Sequence, residues 1–449
     1  VKLFVSRLLR LVALIALGST LALSQTQPVS PAESLFNRAL ATLQMNYYGY
    51  AKLDPPALRM NFLPRLEMAC TWRTECPFEA ASDLVSEMVS SLNDPHTYRL
   101  PVEQSVTVNR DFSNLVSKDA SFGMTLASLP DAGLLVVKRV LEDGPAYRAG
   151  LRRGDTILAL NDQPFDHQGS VRAALEMIGR SERDAEPMRL QARRAGRSVR
   201  LLEIAPVPLQ PWPPQLELRP DGIAVIALSQ FKANGGVAGR VHALVARAIA
   251  ANARGLILDV RDSAGGLISE MLGAAGAFLE HPALLDEFRD GRYLYEFKDG
   301  HFAQVDPQGR RAEFNVVNQS ARWTGPVVIL TNSASKSAPE YLAYLLQRSN
   351  RARVVGEPTL GALNTSNSFF PLPDGSSLAV SLGRSYDLSG VPFPVRVTPD
   401  VVARDDLAAL AVGRDLALET AVRVLDNRNL NRLEPRSHQR EEMPHQAHF

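Results

Sequence analysis

Three short runs hold residues whose types could do nucleophilic chemistry. The run Asn332-Ser333-Ala334-Ser335-Lys336-Ser337-Ala338-Pro339-Glu340 follows an apolar segment and opens a helical one. A serine there stands at the positive end of a helix dipole, on the sheet edge where α/β folds bind ligands. Serine is also an ordinary helix N-cap, so the run alone leaves both readings open. Asp259-Val260-Arg261-Asp262-Ser263-Ala264-Gly265-Gly266 likewise follows a buried apolar segment. Its paired glycines would let backbone N–H groups approach a substrate oxygen, as an oxyanion hole requires; a plain strand-to-helix turn could use them too. Leu92-Asn93-Asp94-Pro95-His96-Thr97 places one histidine at the end of a helical stretch, where a structural role competes with that of a proton acceptor.

The elements that must position these groups can be read from apolar spacing. Beyond the proline-rich stretch Pro206 to Pro214, the pattern predicts strands over Gly222–Leu228, Gly255–Val260, Pro326–Leu330 and Arg353–Val355. Helices are predicted between them, over Val237–Ala251, Leu267–Leu279 and Ser337–Gln347. This rhythm predicts an α/β domain over 212–425, with a mixed or parallel sheet flanked by helices. Asp374-Gly375 marks a hairpin turn within it. Upstream, Ala32–Leu43 and Ser82–Leu92 have helical spacing and define an N-terminal helical region over 30–100. Residues 106–206 read as a β-rich module, with short strands at Gly133–Val137 and Gly154–Leu158. Ser170–Ile178 reads as its helix, and Met188–Ala192 with Ser198–Ile204 as a closing hairpin. Residues 426–449 are polar without apolar period, which predicts a disordered tail.

A chain of 449 residues exceeds one ordinary domain, and 45% hydrophobic with 22% charged residues suits packed globular units. The formal net charge of +1, with no long basic run, offers nothing to a nucleic acid backbone. Lys2, Arg7 and Arg10, the apolar run Leu11 to Leu23, and the small residues Ala22 and Ser24 predict a signal peptide over 1–24. Export to the periplasm or cell envelope, or secretion, is the expectation. The apolar run falls short of the roughly 20 residues that span a bilayer, an uncleaved anchor being the alternative. No other stretch could cross a membrane, so no stable span is expected once the signal is removed. In an oxidising compartment Cys70 and Cys76 could close a small disulfide loop; free thiols are the alternative. Neither a metal nor a cofactor is expected.

Gly144-Pro145-Ala146, Ala149-Gly150-Leu151 and Gly154 to Leu158, together with Ser121-Phe122-Gly123-Met124, resemble a PDZ domain. The resemblance implies that Phe122, Gly123 and Met124 form the loop whose N–H groups hold a peptide's terminal carboxylate, while the peptide adds a strand to the sheet edge. A small β-sandwich without a ligand is the alternative.

Taken in order, the Asp-Pro-His-Thr run, the PDZ-like module, the strand ending in Asp-x-Arg with its Gly-Gly, and the serine run resemble the carboxy-terminal processing (tail-specific) serine proteases. Val354 to Gly361, the Phe370 to Gly375 hairpin and Thr398-Pro399-Asp400 extend the likeness over nearly the whole mature chain. The resemblance implies a crotonase-like catalytic domain with Ser337 as nucleophile and the N–H groups of Gly265 and Ala338 as oxyanion hole. It also implies a lysine base 25 residues after the serine, but Ala362 stands there and cannot take a proton. Gly361-Ala362 and Ser337-Ala338-Pro339-Glu340 look more like the tricorn-core and retinoid-binding-repeat branch, whose base is a histidine from the helical region. His96 is then the candidate base. That branch's serine before the histidine is Pro95 here, and its glutamate before Thr398-Pro399 is absent, which leaves Asp94, Asp387 or no group to orient the ring. Lys336 neighbours Ser337, and adjacent helical side chains do not face each other. Activity through His96 would fall below about pH 6.5. The implied function is an exported serine endopeptidase acting on proteins or peptides with accessible C-terminal tails, assisted by the PDZ-like module. A catalytically inactive exported peptide-binding protein is the alternative.

Overall fold

The computed structural model describes residues 29–70, 75–106, 120–165, 168–209, 212–232 and 236–426. The predicted signal peptide and residues 427–449 of the predicted tail lie outside them; Asp426 closes a helix.

Three helices open the described chain: α1 (Pro31–Asn46), α2 (Pro55–Ala69) and α3 (Glu79–Ser90). Ser30 caps α1 by accepting the Glu33 N–H, and Pro31 fills the first turn, where no N–H is needed. Leu35, Phe36, Ala39, Leu40 and Leu43 then repeat every three to four residues and are buried. Helix α2 was not among the elements expected from apolar spacing: Pro64 interrupts its interior, yet Asp54 caps the first turn, Pro55 and Pro56 fit there, and tertiary packing of Leu58, Phe62 and Leu66 holds the rest. Cys70, just past α2, is disulfide-bonded to Cys76 with Cα atoms 5.4 Å apart. The helices pack on Leu372, Leu378 and Val380 of the C-terminal α/β domain, so they share a core with it.

The strands of the central module are β3 (Met124–Leu129), β4 (Leu134–Val140), β5 (Thr156–Leu160), β6 (Gln163–Pro164), β7 (Met188–Arg193) and β8 (Val199–Ile204). They form a sheet in the order β3-β4-β5-β7-β8, with the short strand β6 on β5. A separate pair, β2 (Ala120–Ser121) with β9 (Val207–Pro208), ties the module's two ends together. Helix α4 (Gln168–Asp184) is longer than predicted, and β3 is an open sheet edge.

The C-terminal α/β domain holds two sheets. One is β10 (Gln215–Leu218), β11 (Ile223–Ala227), β12 (Gly255–Asp259), β17 (Val327–Thr331), β18 (Arg353–Gly356) and β21 (Val401–Val402), in that order and parallel from β11 onward. Every residue of β12 and β17 is buried, as their unbroken apolar runs require. Helices α5 (Val237–Ala250), α6 (Ile268–Ala275) and α7 (Ala338–Arg348) cover one face, and α8 (Leu416–Asp426) covers the other. The second sheet joins β1 (Tyr98–Leu100) to β20 (Ser377–Tyr386), and β20 to both β13 (Ala283–Phe288) and β19 (Thr365–Pro371). From β13 it continues as a meander through β14 (Gly291–Lys298), β15 (His301–Val305) and β16 (Arg311–Asn315), which the apolar spacing did not announce. Among the described residues no helix is long and apolar enough to cross a membrane.

Candidate active site

Strands β12 and β17 are parallel neighbours, with Asp259 opposite Leu330 at their carboxyl ends. The glycine loop and the serine turn therefore leave the sheet side by side, at the edge where α/β sheets bind ligands. Polar contacts hold the two together. Asn332 Oδ1 accepts the Asp262 N–H (2.9 Å), the Ser335 hydroxyl donates to the Val260 carbonyl (2.9 Å), and the Lys336 N–H donates to the Ser263 carbonyl (3.0 Å). A Cβ on Gly265 would stand 2.9 Å from the Lys336 carbonyl and 3.1 Å from Ser337 Cβ, so glycine is what lets this backbone reach the serine. A Cβ on Gly266 would lie even closer to the Phe231 backbone, at 2.2 Å.

Ser337 sits at φ +65°, ψ −118°, a conformation that strains a residue with a Cβ. Its N–H donates to Glu340 Oε2 at 2.6 Å. Glu340 is fully buried and also accepts from the Thr359 hydroxyl and the Gly361 and Ala362 N–H groups. Burial pushes its carboxyl up while these four donors pull it down. Glu340 is thus the post that holds the strained turn, and Ala362 contributes only a backbone donor to it. Ala338 opens α7, so its N–H has no acceptor within the helix and is free for a ligand.

His96 lies at the end of the helical region, in a turn built by Asp94. Asp94 accepts the His96 N–H and the Thr97 hydroxyl, both at 3.0 Å, and makes no hydrogen bond to the ring, acting on it only through its charge. The imidazole is 2% exposed, and its Nδ1 is 2.7 Å from the Thr365 carbonyl. A carbonyl oxygen only accepts, so Nδ1 carries the proton and Nε2 keeps its lone pair. The Tyr341 hydroxyl, one turn beyond Ser337 on α7, donates to the same oxygen at 3.0 Å. His96 and the serine's helix are therefore pinned to one atom of β19. Ser337 Oγ and His96 Nε2 are not hydrogen-bonded to each other. Asp387 pairs with Arg348 and takes no part in holding the ring. Neither carboxylate offered by the sequence orients His96; a backbone carbonyl does.

Lys336 points away to the Tyr98 ring, its Nζ 3.4 Å from the ring centre. Burial lowers its pKa to about 8. Burial, and then the Lys336 charge, lower His96 to about 4. The histidine is consequently neutral at ordinary pH.

A cleft of about 590 Å³ opens beside Ser337 and Ala338 and reaches Thr365. On the other side of the glycine loop the central module docks through charge. Lys138 pairs with Asp262 (2.7 Å) and Asp405 (3.1 Å), and Arg139 with Asp259 (3.3 Å). Arg261, 1% exposed, binds Asp259, Asp405 and Asp415. Against the burial that raises it, Arg261 and Arg139 hold Asp259 well below the usual carboxylate range.

The predicted carboxylate loop of that module is already engaged. Glu182 Oε1, from α4, accepts the Phe122 N–H and the Ser121 hydroxyl, both at 2.8 Å, and Ser121 Oγ accepts the Gly123 N–H at 3.1 Å. Met124 begins the edge strand β3. Sequence reasoning singled out none of Glu182, Thr365, Tyr341 or Tyr98. Glu340 stands in the quoted serine run, three residues after a capping serine, a spacing that could have signalled its role.

The profile of peptidase family S41 matches residues 222–403, and that of the PDZ domain matches residues 136–183. A carboxyl-terminal-processing protease of Synechocystis sp. is 29% identical over 347 residues, covering 73% of this chain and 72% of that one. Carboxyl-terminal-processing peptidase 2 of Arabidopsis thaliana, a chloroplastic protein, is 30% identical over 328 residues, covering 70% of this chain and 59% of its own. Among solved structures, an S41 protease from Bacteroides fragilis NCTC 9343 superposes with a TM-score of 0.53 at 14% identity, covering 87% of this chain and 97% of that one, which is a likeness of fold. With its sheets, its N-terminal helices and its PDZ domain, the chain belongs to peptidase family S41.

Proposed function

We propose that this protein is an exported serine endopeptidase that cuts proteins or peptides near accessible C-terminal tails through an acyl-enzyme. Ser337 Oγ attacks the substrate carbonyl carbon and its proton passes to His96 Nε2, a contact that forms with substrate in place. The N–H groups of Gly265 and Ala338 receive the oxyanion. As the C–N bond breaks, His96 returns the proton to the leaving amine; water then repeats the sequence and frees the serine. The observation that carries this reading is the 2.7 Å contact between His96 Nδ1 and the Thr365 carbonyl: a carbonyl only accepts, so the proton belongs on Nδ1 and Nε2 presents the lone pair a base needs. A fluorophosphonate probe is expected to label wild-type protein on Ser337, with tail peptides cleaved in parallel. A protein that binds such peptides yet takes no label and cuts none would instead be a peptide-binding relative without catalysis.

Substrate tails would enter through the PDZ domain, pairing with the open edge of β3. Glu182 occupies the loop that would take the terminal carboxylate, so tail binding has to displace it. Glu182→Ala is expected to tighten binding of a peptide with a free C-terminus by roughly 10-fold, the scale of one hydrogen bond to a charged group. The same peptide as its C-terminal amide should gain nothing. Fluorescence anisotropy reads both, and equal gains for acid and amide would remove the loop from the binding site.

A further inference from the structure

The cleft beside Ser337 is walled by apolar and aromatic side chains, among them Met271, Phe288, Tyr295, Tyr341 and Phe369. One carboxyl group interrupts this wall. Asp286, on β13, lines the cleft and is 2% exposed. Its Oδ1 accepts the Ser385 hydroxyl at 2.6 Å, and Ser385 Oγ in turn is 2.6 Å from the Tyr341 hydroxyl. The Ser366 hydroxyl stands beside the carboxyl without meeting hydrogen-bond geometry to any described atom. Among the described residues no Lys, Arg or His neutralises Asp286; burial dominates its surroundings and raises its pKa. Asp259, Asp405 and Asp415 beside the glycine loop have arginine partners, and the fully buried Glu340 is met by four hydrogen-bond donors. A carboxylate buried without a cation is costly, and the cost is recovered when a ligand brings one. Aromatic walls add to this, since ring faces attract ammonium and guanidinium groups.

We propose that Asp286 makes the cleft a specificity pocket for a basic side chain, arginine or lysine, on the residue whose carbonyl Ser337 attacks. The assignment rests on the peptidase reading, because the cleft counts as a substrate pocket only through its place beside Ser337. The cation would sit against Asp286 with its alkyl stem along Met271 and Phe369. Ser385 and Tyr341 would hold the carboxylate toward it. Since the cation binds the ionised carboxylate, preference for it should weaken as the pH is lowered and Asp286 takes up its proton.

The test compares two peptides that differ only in arginine against citrulline at that position, equal in shape and unequal in charge. Wild-type kcat/KM is expected to favour arginine by roughly 10-fold or more. In Asp286→Asn, which keeps the bond to Ser385, the ratio should fall to near one. A second readout does not need turnover: calorimetric binding of the same sequences, ending as amides after the variable residue, to Ser337→Ala. The amide ends keep the PDZ loop out of the measurement. The same tenfold ratio is expected there, and its loss in the Ser337→Ala, Asp286→Asn double variant. Equal rates or equal binding for arginine and citrulline in the parent proteins would overturn the assignment, as would a ratio that survives Asp286→Asn. Absence of all cleavage would sink the peptidase reading, and the binding ratio would then decide on Asp286 alone.

Discussion

Ser337→Ala is expected to abolish peptide turnover while leaving the protein folded and its PDZ domain able to bind. Without the hydroxyl no acyl-enzyme forms, and the proposed oxyanion donors, the N–H groups of Gly265 and Ala338, have no attached substrate to act on. Loss of fold would be a poor explanation, because the side chain is half-exposed and the turn is held by backbone: the Ser337 N–H on Glu340 and the Lys336 N–H on Ser263. Ser337→Gly sharpens the separation. A residue with a Cβ at φ +65°, ψ −118° carries strain of about 1–3 kcal/mol, which glycine does not share. The glycine variant should therefore melt at or above the wild-type temperature and be equally dead. Mass-spectrometric cleavage assays and thermal melts check both halves. Cleavage by Ser337→Ala at the wild-type rate would place the nucleophile elsewhere.

His96→Ala is expected to lower kcat/KM by roughly 10³-fold or more, leaving the residue that binding and the oxyanion hole supply. The pH profile carries the sharper prediction. A free imidazole would lose activity below about pH 6.5, the expectation from sequence. In the structure burial, followed by the nearby Lys336 charge, lowers His96 to about 4, so the neutral, proton-accepting form persists and the acid limb should lie near pH 4. Lys336→Met removes one of the two depressing causes and should move that limb upward. The same shift bears on stability. Unfolded histidine binds a proton near pH 6.5 and folded His96 only near 4, so between these values the unfolded state holds more protons. Its contribution is fully present above pH 6.5 and is lost as the pH falls toward 4, by up to about 3 kcal/mol. Chemical denaturation of wild type and His96→Ala across this window should show the wild-type slope reduced in the variant. An acid limb at pH 6.5 that ignores Lys336→Met would remove His96 from the role of base.

Much of the architecture was legible because single elements advertise themselves locally. Gly255 to Asp259 and Val327 to Thr331 are unbroken apolar runs, and only a strand covered on both faces accommodates them. The turn residues Asp374 and Gly375 and the helix-period spacing of α5 and α7 work within a few residues of themselves. Helix α2 was hidden because Pro64 opposes it in its interior, and packing outweighed it. The β13 to β16 meander was missed too, since its partly exposed strands lack a clean alternation.

Residue types and order along the chain determined which groups are available: a serine at a helix start, a glycine pair after a buried strand, one histidine in a self-capped turn, and no lysine where Ala362 stands. Tertiary structure alone decided what they meet. That His96 is held by the carbonyl of Thr365, that Glu182 fills the PDZ loop, and that Asp286 faces the cleft beside Ser337 each join residues 51 to 269 positions apart. A backbone carbonyl has no signature in residue type, and a buried carboxylate reads like any surface aspartate until the fold removes it from water.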